Sequence, residues 1–165
     1  MTSHPLTGQI EQDVFRAVMR TLASSVTVIT SQHDGQEHGM TATALCSVCA
    51  EPPTILIVVN RTARTHPFID ASGTFAVNIL AEDQRALSDR FSGKMTDQFA
   101  GVDYASGKAE SPVLSGTAAH LECKVVSQSD VGTHTIFVGR VIAGSAAGTQ
   151  PLLYHEGRHK TLAPG

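Results

Sequence analysis

The spacing of apolar side chains changes once, early in the chain, and that change organises everything after it. From Ile10, apolar residues at Val14, Phe15, Val18, Met19 and Leu22 recur every three or four positions, which predicts one amphipathic N-terminal helix. Beyond it the period shortens to that of a strand. SSVTVITS, residues 24–31, alternates hydroxyl and β-branched side chains, Asp34-Gly35 supplies a turn, and MTATALCSV, residues 40–48, resumes as strand, so the pair predicts a hairpin. TILIVV, residues 54–59, is a continuous apolar run, the pattern of a strand buried on both faces, with Pro52 and Pro53 marking the turn before it.

The second half continues in short pieces. Residues 64–72 predict a short helix, TFAVNIL (74–80) a strand, and residues 82–91 a second short helix with Leu87 and Phe91 on one face. Residues 92–112 carry Gly, Ser, Lys and Asp without periodicity and predict a long loop, of a length that is often functional. AHLECKVVSQ, HTIFVGRVIAG and a short strand around LLYHEG complete the chain. Six or seven short strands with a few short helices predict a mainly β fold, a small antiparallel barrel closed on itself because open edges would pair with other chains. One domain over residues 1–165 accounts for the length, with residues 1–9 expected to be a flexible N-terminus.

Composition narrows the partner. The formal charge of -3 lacks the basic excess that a phosphate backbone or an anionic membrane demands, and no apolar run approaches the roughly 20 residues of a membrane span. A small molecule is the expected ligand. The first residues, MTSHPLTGQIEQ, have neither the basic nor the apolar region of a secretory signal, and three cysteines, an odd number, suit reduced thiols better than a disulfide framework; both point to the cytoplasm. Trp is absent and Tyr occurs twice, a poor supply for stacking nucleic-acid bases.

Three motifs compete for the chemistry. His155-Glu156-Gly157-Arg158-His159 matches the H-E-x-x-H pattern of zinc proteases, but that chemistry needs both histidines on one helical face, and here Gly157 interrupts a segment that reads as strand. It is read as a chance match, and no metal site is expected. Cys46 and Cys49 have the spacing of half a zinc knuckle or of a redox pair, yet Cys123 is the only further cysteine, no helix N-terminus adjoins them, and strand positions three apart face opposite ways. Packing or bystander thiols are the expectation. His134 follows Gly132 at the mouth of a strand; by position it reads first as an ordinary hydrogen-bonded histidine and second as one that meets a ligand.

No G-x-G-x-x-G or Walker loop is present, so a phosphate-bearing cofactor would have to be held by side chains and scattered amides. Thr41, Thr43 and Ser47 offer hydroxyls beside Ala42 and Ala44, whose small side chains let a planar ligand approach the backbone. Asn60 to Thr65 gathers cationic and hydroxyl donors where a strand ends, either a phosphate anchor or a solvated polar loop.

SVTVIT, HGMTATALCSVCAEPPTILIVV, FAVNIL, FSGKMTDQFAG, SPVL, LEC, GTHTIFVGRV and PLLYHEG, in this order and spacing, make the chain resemble the flavin reductase-like family from Phe15 to about Leu162. These are the small NAD(P)H-dependent reductase components of two-component flavin monooxygenases. The resemblance implies an FMN-binding split β-barrel, a Greek-key antiparallel barrel usually found as a homodimer, with flavin near the subunit interface. It implies reduction of free FMN or FAD by NADH or NADPH, and delivery of reduced flavin to a separate monooxygenase. Thr41, Ala42, Thr43, Ala44, Ser47 and Val48 would border the flavin ring. Asn60, Arg61, Thr62 and Thr65 would lie toward its phosphate, Arg90, Phe91 and Lys94 would close over it, and His134 would meet the nicotinamide nucleotide. Where the family often has Gly-Asp-His, this chain has Gly132-Thr133-His134. The alternative on the same residues is a flavin-binding or carrier protein without catalysis; a split-barrel relative holding haem or pyridoxal phosphate stands behind it.

Overall fold

The computed structural model describes residues 8–164. Of the expected flexible N-terminus, residues 1–7 lie outside the described residues, and Gly8 and Gln9 are exposed and without regular structure. Helix α1 (Gln12–Arg20) forms as its spacing predicts, but its apolar face is left open among the described residues: Val14, Phe15, Val18 and Met19 are each about half exposed.

The strands follow in order: β1 (Ser24–Ser25), β2 (Thr27–His33), β3 (Gln36–Ala42), β4 (Leu45–Ala50), β5 (Pro53–Asn60) and, after helix α2 (His66–Ser72), β6 (Thr74–Ile79). Helix α3 (Arg85–Ser92) precedes the short β7 (Tyr104–Ser106) and β8 (Pro112–Leu114). The long β9 (Ala119–Val131) and β10 (His134–Ala146) follow, then β11 (Leu153–His155) and β12 (Arg158–Lys160). Seven strands make one antiparallel sheet in the order β3-β2-β6-β9-β10-β5-β4. The turn between β2 and β3 is Asp34-Gly35, both with positive φ (50° and 74°), which is the geometry a two-residue hairpin needs and the reason glycine follows aspartate there.

This sheet is rolled. Its end strands β3 and β4 are farthest apart in the hydrogen-bonded order, yet Met40 of β3 and Leu45 of β4 pack on one core with Ile29, Ile57, Val77 and Phe137. The chain crosses between the two edges at Thr43-Ala44, so the single strand predicted over residues 40–48 is two strands with a break. A second core of Val26, Val28, Leu80, Phe91, Leu114 and Leu152 closes the end where α3 and the C-terminal strands meet the sheet.

Two further expectations need correcting. β5 is buried on one face only: Ile55, Ile57 and Val59 enter the core, whereas Leu56 and Val58 are half-buried against an open cavity. Residues 92–112 are not a structureless loop, because β7 and β8 pair within and just beyond them. Asn78, fully buried on β6, accepts from the Leu114 backbone N–H at 2.8 Å and donates to the Val28 carbonyl at 3.1 Å, tying that hairpin to the sheet.

Candidate active site

The break at Thr43-Ala44 lies where two open cavities adjoin. One, of about 620 Å³, has Thr43, Ala44 and Cys46 on one side, Leu56 and Val58 on its floor, and Phe15 of α1 across it. The other, of about 380 Å³, lies between Thr41 and Thr43 on one wall and Ser88 and His159 on the opposite wall. Thr43 and Tyr154 border both. The shelf is held to the sheet by its backbone: Val58 donates to the Ala44 carbonyl at 3.3 Å, leaving the small side chains of Thr43 and Ala44 exposed. Thr41 donates its hydroxyl to the Ser88 carbonyl at 2.7 Å, so that hydroxyl fastens α3 and is not turned to a ligand. Ser47 and Val48 lie farther along β4, exposed, on the wall of neither cavity.

Tyr154, which sequence reasoning did not single out, and His159, met there only within the dismissed H-E-x-x-H match, come from the C-terminal hairpin. Glu156 and Gly157 (φ 50° and 76°) form its turn, which pairs Tyr154 with His159 and His155 with Arg158. Neighbouring strand residues face opposite ways, so His155 and His159 point apart and the H-E-x-x-H match has no helix to realise it. His159 Nε2 is 3.0 Å from the Ser88 hydroxyl, and its ring meets Tyr154 edge-on at 5.6 Å.

The cysteine reading changes as well. Cys46 pairs with Leu56 and Cys49 with Thr54, with a register shift between Ser47 and Cys49. The bulge restores the pleat, so the two thiols share a face although they are three residues apart; both are exposed and free.

A second cluster forms at the mouth of β10. His134 lies opposite Asn60 of β5, half-buried, with Nδ1 2.9 Å from the Thr133 hydroxyl. Asn60 Oδ1 accepts from both the backbone N–H and the hydroxyl of Thr62 at 2.9 Å, a local turn that shapes the loop leaving β5. Arg61 reaches across to the β9–β10 turn. Its Nη2 donates to the Gly132 carbonyl at 2.8 Å, its backbone N–H donates to the Thr133 carbonyl at 3.0 Å, and Nη1 is 3.5 Å from Asp130. Asp130 also accepts from the Thr135 hydroxyl at 2.6 Å, and His66 Nε2 lies 2.8 Å from that same hydroxyl.

The remaining expected residues divide by burial. Thr65 is fully buried with its hydroxyl 2.7 Å from His38 Nδ1, and Phe91 is 2% exposed within the second core. Both therefore support the walls from behind, on the wall of neither cavity. A β-carbon at Gly39 would stand 2.7 Å from the Phe91 ring, so glycine there is what lets the ring lie under β3. Arg90 donates to the Gln98 and Ala100 carbonyls at 2.6 Å each, and Arg64 donates to the Met95 carbonyl at 2.7 Å, so the two arginines pin the segment that carries exposed Lys94. His38 sits beneath them, stacked on Phe68; burial first, and the nearby Arg64 charge second, hold its pKa below the ordinary 6.5.

The chain is similar to known proteins over nearly its whole length. A family model described as "Flavin reductase like domain" matches residues 19–163. The FMN reductase (NADH) RutF of Stutzerimonas stutzeri is 36% identical over 160 residues, covering 96% of this chain and 92% of its own. The reductase subunit HsaB of a flavin-dependent monooxygenase from Mycobacterium tuberculosis is 34% identical over 162 residues, covering 96% of this chain and 87% of its own. The crystal structure of the NADH:FAD oxidoreductase SgcE6 of Streptomyces globisporus, in complex with NAD and FAD fragments, superposes with a TM-score of 0.88 at 33% identity, covering 96% of this chain and 98% of that one.

Proposed function

The chain belongs to the flavin reductase like domain family, and from that premise we propose that all of it works as one unit, an NAD(P)H:flavin oxidoreductase that reduces FMN or FAD for release to a separate monooxygenase. The observation that carries the reading is the exposed Thr43-Ala44 shelf, bare of bulky side chains and bordered by the 620 Å³ cavity. These residues fit a flavin. A tricyclic ring needs a flat wall on which small side chains permit close approach, and Ala42, Thr43 and Ala44 supply one; Asn60 and Thr62 lie at the end where a phosphate tail would be met, with Lys94 as an exposed cation.

Bound flavin supplies the hydride acceptor, and the chain supplies position. No strong acid or base is required of the protein. Thr133 holds the His134 ring through Nδ1, which directs Nε2 away from the turn toward an arriving nucleotide. Leu56 and Val58 would give the ring an apolar floor.

A homodimer is part of the proposal. The unpartnered apolar face of α1, with Phe15 on the cavity wall, suits a second copy that would both bury the helix and narrow the opening over the shelf. Three free thiols accord with a cytoplasmic site of action.

Oxidation of NADH and NADPH followed with FMN, FAD and riboflavin tests the reading. Turnover with at least one pairing is expected, and none with any pairing removes it; a carrier would bind flavin and leave the nucleotide untouched.

A further inference from the structure

The arginine that resemblance places at the flavin phosphate is already engaged elsewhere. Arg61 spends one guanidinium nitrogen on the Gly132 carbonyl at 2.8 Å, holds another 3.5 Å from the Asp130 carboxylate, and gives its backbone N–H to the Thr133 carbonyl. All three partners belong to the β9–β10 hairpin. The guanidinium therefore faces the turn that carries His134, and its charge is matched by Asp130. Recruiting it to a phosphate would mean breaking both side-chain contacts and leaving Asp130 without its cation.

Asp130 is itself fixed from the other side. The Thr135 hydroxyl has one proton, and at 2.6 Å from Asp130 Oδ1 that proton goes to the carboxylate. The contact between His66 and the same hydroxyl, at 2.8 Å, then requires His66 Nε2 to be the donor. A directed chain results: His66 donates to Thr135, Thr135 to Asp130, and Asp130 is paired with Arg61. Thr135 is 1% exposed, so the middle of this chain is shielded from water while the Arg61 and Asp130 ends are about half open. An exposed ion pair alone contributes little. Here it is backed by a part-buried hydrogen bond and by two bonds from Arg61 to the turn backbone.

We propose that Asp130 and Arg61 are positioning residues: together they clamp the Gly132-Thr133 turn to the 60–65 loop, so that the histidine facing the nucleotide and the donors facing the flavin tail are held as one unit, and Arg61 is not a phosphate ligand. The proposal rests on the flavin reductase reading above. It also uses the register of the sheet: His134 and Asn60 are directly paired, so a shift of the turn relative to the loop separates the nucleotide contact from the tail contact. Among the residues that resemblance places at the flavin, Lys94 is left as an exposed cation with no hydrogen-bond or ion-pair partner among the described residues.

The test compares Asp130→Asn, Arg61→Gln and the double variant in the full-length protein, with melting temperatures confirming the fold. A phosphate ligand and a clamp differ in one ratio. Losing a phosphate ligand weakens FMN while sparing riboflavin, which has no phosphate; losing a clamp weakens both by the same factor. We expect each single variant to raise the KM for the nucleotide about fivefold, the scale of one lost hydrogen bond, with the ratio of FMN to riboflavin affinity unchanged. The double variant is expected to be no worse than the more affected single one, because both break the same link. Selective loss of FMN binding in Arg61→Gln, an unchanged nucleotide KM in Asp130→Asn, or effects that multiply in the double variant would each overturn the clamp. If the wild-type protein turns over no flavin, the functional reading fails instead, and the clamp is decided by amide hydrogen exchange: faster exchange at both 60–65 and 131–134 in Asp130→Asn supports it, and unchanged exchange refutes it.

Discussion

The carboxylate of Glu122 accepts a hydrogen bond from the backbone N–H of Ala109 at 2.8 Å, in the interior of the molecule, where Glu122 is 4% exposed. One carboxylate on β9 thus fixes the turn between β7 and β8, and Gly107 lies so close to it that a β-carbon there would stand 2.5 Å from the carboxyl carbon. Gly107→Ala and Glu122→Leu are both expected to destabilise the protein, the second by about 1–3 kcal/mol for the N–H left unsatisfied. Thermal unfolding measures it; an unchanged midpoint for both would mean the turn is held by something else.

His38 gives the protein a pH dependence whose sign follows from its lowered pKa. Above 6.5 the ring is neutral folded or unfolded and imposes no penalty. Below 6.5 the unfolded chain takes up the proton first, so stability falls as pH drops from 6.5 through the lower folded pKa. Protonation would place a cation beside Arg64, beneath the segment that carries Lys94. Denaturant midpoints across that window should fall more steeply for the wild type than for His38→Gln, and parallel slopes would remove His38 as the cause.

Cys123 is expected to be chemically silent in the native state. Burial, and then the neighbouring Glu122 charge, push its thiol pKa up to about 12, so almost no thiolate exists at neutral pH. Alkylation followed by peptide mapping should mark exposed Cys46 and Cys49 and leave Cys123 unmodified until the protein unfolds. Native labelling of Cys123 would contradict the burial described.

His134→Ala should weaken nucleotide use while sparing flavin. Removing one ligand hydrogen bond is expected to raise the nucleotide KM by about three- to tenfold, with the flavin dissociation constant unchanged. An unaltered KM and kcat would show that this histidine faces no nucleotide.

What could be read in advance was whatever is local in the chain. The Asp34-Gly35 turn, the three helices and the β-rich tail all announce themselves within a few residues, since period and turn chemistry are short-range properties. The misreadings involve partners far away. Residues 92–112 looked structureless because the groups that order their end, Asn78 and Glu122, sit on other strands, 36 residues from Leu114 and 13 from Ala109. The cysteine pair looked divergent because a bulge is a property of two strands and not of one. At the site, the shelf was visible as a run of small and hydroxyl-bearing residues, whereas the interior places of Thr65 and Phe91 depended on how α2 and α3 dock. Tyr154 and His159 were hidden behind a motif that suggested a helix where the glycine makes a hairpin.

A crystal structure of the protein soaked with FMN decides whether the Thr43-Ala44 break seats a flavin ring. The isoalloxazine should lie against Thr43 and Ala44 above Leu56 and Val58, with its tail running toward Asn60 and Thr62. Density for FMN at any other place, with this shelf bare at saturating ligand, would contradict it.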